Sequence, residues 1–332
     1  MSPDSLTISV VVLSYNRPDH LRAALDSLLS QVCLPTEIIV VDNRSPNSSA
    51  VKRVVEQYTS VKLIQSPINL GYAGGMNLGI RKATGYYTYL TEDDIVLDND
   101  GIRQLVDYME EHPATVVASP IMYNKAQGTI RCAGGEVTLG GIYRRLTYNE
   151  TNRHAGEFSQ PFDVSYLDGA SMFARTDFLH STGGFREEFF MYVEAVEFCV
   201  RVAKTGRKLT VVPAAKVYHF EPPASANDSA EFDFHKYKNL FALYLLHAHA
   251  RYLPEFFARY VLLGGLRALL GRDGNILMML RALVWTLKRI PSLLKERRNH
   301  RLSPQVIGQL APESQRPTLT PNEHDAFVST NR

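Results

Sequence analysis

Tyr86-Tyr-Thr-Tyr-Leu-Thr-Glu-Asp-Asp-Ile-Val-Leu97 reads as a buried strand running straight into three consecutive acids, Glu92, Asp93 and Asp94. The apolar pattern resumes at Ile95. Carboxylates crowded at the C-terminal end of a strand repel one another unless a cation neutralises them. Oxygen ligands in such a cluster suit hard divalent ions, which in turn clamp phosphates. The plainer reading is an acidic turn feeding a helix near Asp100–Glu111. The segments on either side weigh one against the other.

Upstream, Ile8–Leu13 is a β-branched run suited to a strand buried on both faces. Ser14-Tyr-Asn-Arg-Pro18 is a polar turn. Pro18 is placed to open a helix with Leu21, Ala24, Leu25, Leu28 and Leu29 on one stripe. Glu37–Val41 predicts a second strand ending at Asp42-Asn43, Ser49–Tyr58 a helix and Val61–Gln65 a third strand. Asn69–Gly75 reads as a loop, followed by a helical pattern over Met76–Ala83. Strands alternating with helices at short spacing define an α/β fold, with a mostly parallel central sheet and helices on both faces.

In such sheets ligands sit beyond the carboxyl ends of the strands. Three strand ends are polar there: Ser14–Asn16, Asp42–Asn43 and Glu92–Asp94, residues that suit a base, a ribose and a metal. A nicotinamide dehydrogenase needs glycines in the first strand-to-helix turn, so that the pyrophosphate can approach the helix. That turn has none, and Gly71, Gly74 and Gly75 come after the third strand. The dinucleotide reading is rejected.

Downstream, Gly101–His112 predicts a helix, Thr115–Ser119 a strand, and Gly134 to Tyr148 a hairpin. Val193–Arg201 marks a helix start, with Val196, Val200 and Ala203 on one face. Leu209–Val212 and Ala215–Tyr218 are apolar, and His219 ends the second.

The 332 residues exceed the usual size of a single core, so one large domain plus an appendage is expected. With 45% hydrophobic and 21% charged residues the bulk is folded, and a net charge of +2 argues against a nucleic-acid binder. The charge is uneven: residues 251–301 hold eleven Lys/Arg against three acids, a net of +8, which leaves −6 for the remainder. Three widely spaced cysteines without a CxxC argue against a disulfide framework or zinc site, and for a reducing compartment. The first residues lack a signal-peptide pattern, and no uncharged apolar run reaches the length of a membrane span.

As an ordered set, Val10-Val-Val-Leu-Ser-Tyr-Asn-Arg-Pro18, Ile38-Ile-Val-Val-Asp-Asn43, Asn69-Leu-Gly-Tyr-Ala-Gly-Gly-Met-Asn77, Leu90-Thr-Glu-Asp-Asp94, Gly169-Ala170, Gly183-Gly-Phe185, Phe189–Phe198 and His219 strongly resemble the family 2 glycosyltransferases of GT-A fold. The likeness is to the rhamnosyl- and galactofuranosyltransferase-like branch and covers about residues 7–245. It implies a nucleotide-sugar donor (dTDP-rhamnose or UDP-hexose type), Mg²⁺ or Mn²⁺, and inversion at the anomeric carbon. It also implies a glycan or lipid-linked saccharide as acceptor, in cell-wall or polysaccharide biosynthesis. On that resemblance Asp42 holds the base or ribose with Ser14 and Asn16 nearby; Gly74, Gly75 and Asn77 close over the donor; and Asp93 belongs to the donor site. Glu92 and Asp94 fall on the two acidic positions of the Asp-x-Asp motif, with Glu for Asp at the first, and His219 on a further metal ligand. A nucleotidyltransferase is the more distant rival. It would want a glycine-rich basic first loop, which Ser14–Pro18 does not supply.

The transfer needs a base for the acceptor hydroxyl, whereas a metal-neutralised diphosphate leaves without an acid. In the resembling enzymes that base is the second acid of a pair opening the helix after an aromatic run. Here the pair reads Glu194-Ala195, and alanine accepts no proton. Three readings stand: Glu194 serves as base; Asp168 or Glu197 serves; or the chain binds donor without transferring it. A helix N-terminus favours a carboxylate at either position, which inclines the choice to Glu194.

Phe232–His247 predicts a helix carrying Lys236, Lys238 and Asn239. Beyond it Tyr252–Leu270 and Asn275–Ile290 are amphipathic, basic and apolar, with the single Trp285. Such helices suit an anionic membrane interface, or packing on the catalytic domain with a solvated basic face. The sequence thus divides into a catalytic domain (1–245), a basic helical region (246–302) and a proline-rich loose tail (303–332). The expected place is cytoplasmic, peripheral on the inner face of the plasma membrane.

Overall fold

The computed structural model describes residues 6–126, 128–137, 143–145, 158–220, 230–248, 253–270 and 275–299. β1 (Ile8–Ser14) is buried along its whole length, as its unbroken apolar run requires. α1 (Pro18–Leu29) starts on its proline and buries Leu21, Ala24, Leu25 and Leu28. β2 (Glu37–Asp42), α2 (Ser48–Val55) and β3 (Val61–Gln65) follow the predicted alternation, and β1, β2 and β3 pair in parallel.

The next helix departs from the prediction. α3 (Gly71–Ile80) begins five residues earlier than expected, with Gly74 and Gly75 inside it. Glycine in a helix costs about 1 kcal/mol against alanine, but here it lets the helix lie flat on the sheet. A Cβ on Gly75 would stand 2.5 Å from Leu13 Cδ1, and one on Gly79 2.2 Å from Val11 Cγ1. Close packing overrides local propensity.

β4 (Tyr87–Glu92), β5 (Ile95–Leu97) and α4 (Gly101–Glu111) come next. β6 (Thr115–Asn124) is fully buried and runs through Pro120, well past its predicted end at Ser119. β7 (Ile130–Cys132) pairs with β6, and β8 (Gly135–Val137) with β9 (Tyr143–Arg145) as the hairpin expected from Gly134, whose end at Tyr148 lies outside the described residues. β10 (Phe162–Val164), β11 (Ser171–Arg175), α5 (Thr176–Thr182) and α6 (Glu194–Lys204) lead to β12 (Lys208–His219). The two apolar runs, Leu209–Val212 and Ala215–Tyr218, lie in this one strand, with an irregularity between Val212 and Lys216.

The main sheet runs β10-β12-β6-β11-β4-β1-β2-β3, with β5 on β12 and β7 on β6. β11 is antiparallel to both of its neighbours; β6 pairs in parallel with β12.

α7 (Ala230–His247), α8 (Leu253–Phe256), a π-helical stretch (Phe257–Leu263), α9 (Gly264–Leu269) and α10 (Ile276–Asn299) form the C-terminal region. α7 and α10 share an apolar core of Phe234, Phe241, Met279 and Ala282 with Trp285 packed against it. Leu293 of α10 reaches the core beneath the sheet. The expected boundary at residue 245 thus falls within α7, the helix on which α10 packs. The expected tail, 303–332, lies outside the described residues.

Candidate active site

The sheet order brings distant acids to one edge. β4 ends at Glu92, and antiparallel β11 sets Ser171 beside Thr91, so the residues just before β11, Asp168 among them, reach the end of β4. β6 and β12 run parallel to β4, which carries His219, the last residue of β12, to the same edge. There Ile95 of β5 pairs with His219, and the Phe220 N–H donates to the Asp94 carbonyl at 2.9 Å.

Glu92, Asp94 and His219 each offer one ligand atom, all within 4.8 Å of one another, the one such group among the described residues. Asp94 Oδ1 lies 3.4 Å from His219 Nε2, yet that oxygen and His219 Nδ1 have no hydrogen-bond partner. Asp94 Oδ2 takes the Arg17 guanidinium. Burial, with the Asp94 charge added, pushes Glu92 well above the usual carboxylate range. Burial also works against Asp94, but His219 and Arg17 outweigh it and hold its carboxyl low. Two carboxylates so divided, with an orphan buried oxygen facing an imidazole, fit a divalent cation that would let both ionise.

The structure gives other jobs to several residues expected at the donor. Ser14 donates its hydroxyl to Asp93 Oδ2 at 2.9 Å, and the Tyr15 N–H joins at 3.0 Å. Asp93 therefore faces inward and ties β1 to β4. Burial pushes its carboxyl up to about 7. Asp42 is fully buried and spends its oxygens on the Ser45 N–H and the Ser48 hydroxyl. Asn77 clamps the 183–187 turn: its amide donates to the Phe185 carbonyl at 2.7 Å and accepts the Phe185 N–H at 2.8 Å. Gly75 packs α3 against β1, as described above, and a Cβ on Gly74 would stand 2.9 Å from Leu70 Cβ. Asn16 alone of that set is exposed, in the left-handed conformation (φ 59°), with its N–H on Ser45 Oγ.

Glu194 opens α6 at the same edge. It is 7% exposed, and its Oε2 has no hydrogen-bond partner. Burial, with the Asp168 charge adding to it, pushes its carboxyl up to about 8. Asp168 accepts the Ala170 N–H at 3.1 Å. Glu197, the third candidate base, is committed elsewhere: Arg201 Nε at 2.8 Å and His247 Nε2 at 3.1 Å take its two oxygens. Despite complete burial these partners hold it down at about 2. That acid is a structural ion-pair member. Ala195 is buried, and a Cβ on Gly169 would stand 3.3 Å from its methyl group.

Two residues at this edge, Arg17 and Tyr72, had no role in the sequence reading. Arg17 sits on Asp94 and 3.5 Å from Asp93, an ion-pair partner foreshadowed by its place in the turn after β1. Tyr72 donates its hydroxyl to the Gly169 carbonyl; burial and the charges of Glu92, Glu194 and Asp168 push its phenol upward. Asn43 binds Asn69 Oδ1 at 3.1 Å and the Gly71 carbonyl at 2.9 Å, fixing the entry to α3.

A mixed α/β sheet flanked by helices, with acids gathered at the end of β4, is the architecture of the GT-A fold. The family model described as "Glycosyl transferase family 2" matches residues 9–180, over half of the chain, and the protein belongs to that family. Its relatives are of the expected branch. It is 23% identical over 243 residues to the N-acetylglucosaminyl-diphospho-decaprenol L-rhamnosyltransferase of Mycobacterium tuberculosis, covering 67% of this chain and 79% of that one. It is 29% identical over 204 residues to the galactofuranosyltransferase GlfT1 of the same species, covering 60% of this chain and 66% of the relative.

Among solved structures, GalNAc-T7 with UDP, GalNAc and Mn²⁺ matches with a TM-score of 0.62 at 16% identity, over 85% of this chain; the protein spans only 57% of that longer chain. The mannosyltransferase PcManGT of Pyrobaculum calidifontis, in complex with GDP-Man and Mn²⁺, matches with 0.52 at 17% identity, over 90% of this chain and 75% of that one. At these identities the likeness is one of fold.

Proposed function

We propose that the protein is an inverting, metal-dependent hexosyltransferase that moves a sugar from a nucleotide-sugar donor to a hydroxyl of a lipid-linked saccharide. The observation that carries this reading is the convergence of Glu92, Asp94 and His219 with Glu194 at one edge of the sheet. Glu92, Asp94 and His219 would hold Mg²⁺ or Mn²⁺, whose chemistry is to neutralise the diphosphate leaving group. Asn16, exposed just past the end of β1, would meet the nucleoside, and Asp42, bound to Ser45 and Ser48, would hold the loop beside it. Arg17 supplies positive charge next to the same acids.

Glu194 accepts the proton of the acceptor hydroxyl as its oxygen attacks the anomeric carbon. The C–O bond to the diphosphate breaks, and the electron pair leaves with the nucleoside diphosphate. Burial, with the charge of Asp168 adding to it, keeps that carboxyl basic. Ala195 favours a second reading, a protein that binds donor without transferring it. Incubating donor, Mn²⁺ and a lipid-linked acceptor separates the two: a new glycoside supports the enzyme, and bound but unconsumed donor supports the binder.

The donor is identified by a thermal-shift screen of nucleotide sugars with Mn²⁺. A preferred donor at about 100 times its Kd adds about 2.7 kcal/mol, a rise of about 5 °C for a chain of this size. Uniform shifts across all nucleotides would remove the donor assignment.

The C-terminal helices supply the membrane part of the proposal. Leu262, Leu263, Leu266, Leu269 (70% exposed), Leu277 (66% exposed) and Leu287 stand in solvent, interleaved with the exposed Arg259, Arg267 and Lys288. Exposed leucines and cations interleaved along these helices fit an anionic lipid interface. Among the described residues no helix is long and apolar enough to cross a membrane. The relative named for a decaprenol-linked saccharide fits an acceptor held in that surface, and cysteines that form no disulfide fit the cytoplasmic side. The protein is expected to float with anionic vesicles and not with neutral ones, and Leu269→Glu with Leu277→Glu to abolish flotation. Unchanged flotation of that double variant would remove these helices from the membrane role.

A further inference from the structure

The segment that delivers Glu194 is strained. Phe190 (φ 65°), Tyr192 (φ 65°) and Val193 (φ 68°) are three left-handed non-glycine residues within four positions. A β-branched residue such as Val193 is a clear outlier there. Such backbone persists only where its surroundings over-determine it, so the restraints that hold it should be identifiable.

They come from two sides. On the sheet side, the Ala73 N–H in the first turn of α3 donates to the Phe190 carbonyl at 3.0 Å. On the other side stands α7. The side-chain amide of Asn239 lies 2.7 Å from the Phe189 carbonyl, 2.8 Å from that of Met191 and 2.7 Å from that of Tyr192. One NH₂ group is thus shared by three carbonyls of the strained loop. Its neighbour Lys238 donates to the Glu188 carbonyl at 2.8 Å, and the rings of His235 and Phe190 stack at 4.7 Å. Asn239 is fully buried, in α7, where it is remote in sequence from every motif of the acidic edge.

We propose that Asn239 is a positioning residue: its amide locks the Phe189–Val193 loop in the left-handed path that aims Glu194 at the acceptor. The inference rests on the reading of Glu194 as base. An amide suits the task, because its two N–H groups donate to carbonyls without bringing a charge near Glu194. That carboxyl already has Asp168, Tyr72 and Tyr192 around it. Aspartate has nearly the same shape but presents acceptors to three carbonyl oxygens. The α10 helix backs the device, with Trp285 5.2 Å from Lys238 Nζ.

The test compares Asn239→Ala and Asn239→Asp with the wild-type full chain, by steady-state transfer and by amide hydrogen exchange. Release of the loop is expected to lower kcat about 10- to 100-fold, as small misplacements of catalytic groups do. The donor KM should stay within about twofold, because the metal and donor residues lie on other elements. Amides of residues 189–194 should exchange faster, while those of β1, β2 and β4 keep their protection. Val193→Gly in the Asn239→Ala background should recover part of the lost kcat, since glycine adopts positive φ without strain. An unchanged kcat, unchanged exchange at 189–194, or a loss that Val193→Gly does not relieve would overturn the proposal. If the wild type binds donor without transferring it, the base reading fails separately and the exchange arm decides alone: faster exchange confined to the loop supports positioning, and unchanged exchange overturns it.

Discussion

Asp94→Asn is expected to lower kcat/KM in the presence of Mn²⁺ by about 10²- to 10³-fold, the loss typical of removing one group that stabilises developing charge. Asparagine keeps the shape and can still accept from Arg17, so the fold should survive. What it removes is the negative charge facing His219 across 3.4 Å, on an oxygen that has no hydrogen-bond partner. Asp94 is also the acid whose charge adds to burial in forcing Glu92 upward. In the variant Glu92 loses that repulsion but also the second carboxylate with which it would share a cation. Mn²⁺ should then cease to stabilise the protein against heat. Full activity in the variant would move the metal elsewhere.

Glu194→Gln should leave donor binding intact and lower kcat by about 10²- to 10⁴-fold, the range of a general base. The pH dependence has a definite sign. A base held at about 8 by burial is mostly protonated at neutral pH, so the wild-type transfer rate should rise with pH and level off above about 8. The same shift acts on stability. The folded pKa lies above the unfolded value, so the protonated form is favoured in the native state. Its contribution is fully present below the ordinary carboxylate pKa and is lost as pH rises through about 8. Glutamine carries no such loss, so the variant should melt higher than the wild type at alkaline pH and turn over far more slowly. Undiminished transfer would pass the role of base to Asp168, because Glu197 is bound by Arg201 and His247.

The parts of this arrangement that repeat along the chain were legible in the sequence. Ile8–Leu13, Glu37–Val41 and Tyr86–Leu97 announce buried strands, and their polar ends mark the candidate catalytic edge, because in a parallel sheet the edge follows from strand direction alone. The acidic run foreshadowed Glu92 and Asp94 as candidate ligands, and the resemblance alone pointed to His219 beside them. What escaped was set by pairing across long stretches of chain. Ser14, Asp93 and Asn77 look like ligand residues by type, but their partners come from 78 to 108 positions away and turn them inward. Gly74 and Gly75 read as a loop because helix propensity is local, whereas the Leu13 side chain that Gly75 accommodates belongs to β1. The loop at Phe189–Val193 carries no glycine to advertise its left-handed turns, and its staple comes from α7, some 50 residues on.

The central claim is that Glu92, Asp94 and His219 hold a divalent ion that binds the donor's diphosphate. Isothermal titration of UDP and dTDP into the wild type and Asp94→Asn, each with Mn²⁺ and with a chelator, measures this directly. The account predicts that Mn²⁺ tightens binding of the cognate nucleotide at least about tenfold in the wild type, some 1.4 kcal/mol, and has no effect in the variant. Equal affinity with and without Mn²⁺ in the wild type, or a Mn²⁺ effect that survives Asp94→Asn, would contradict it.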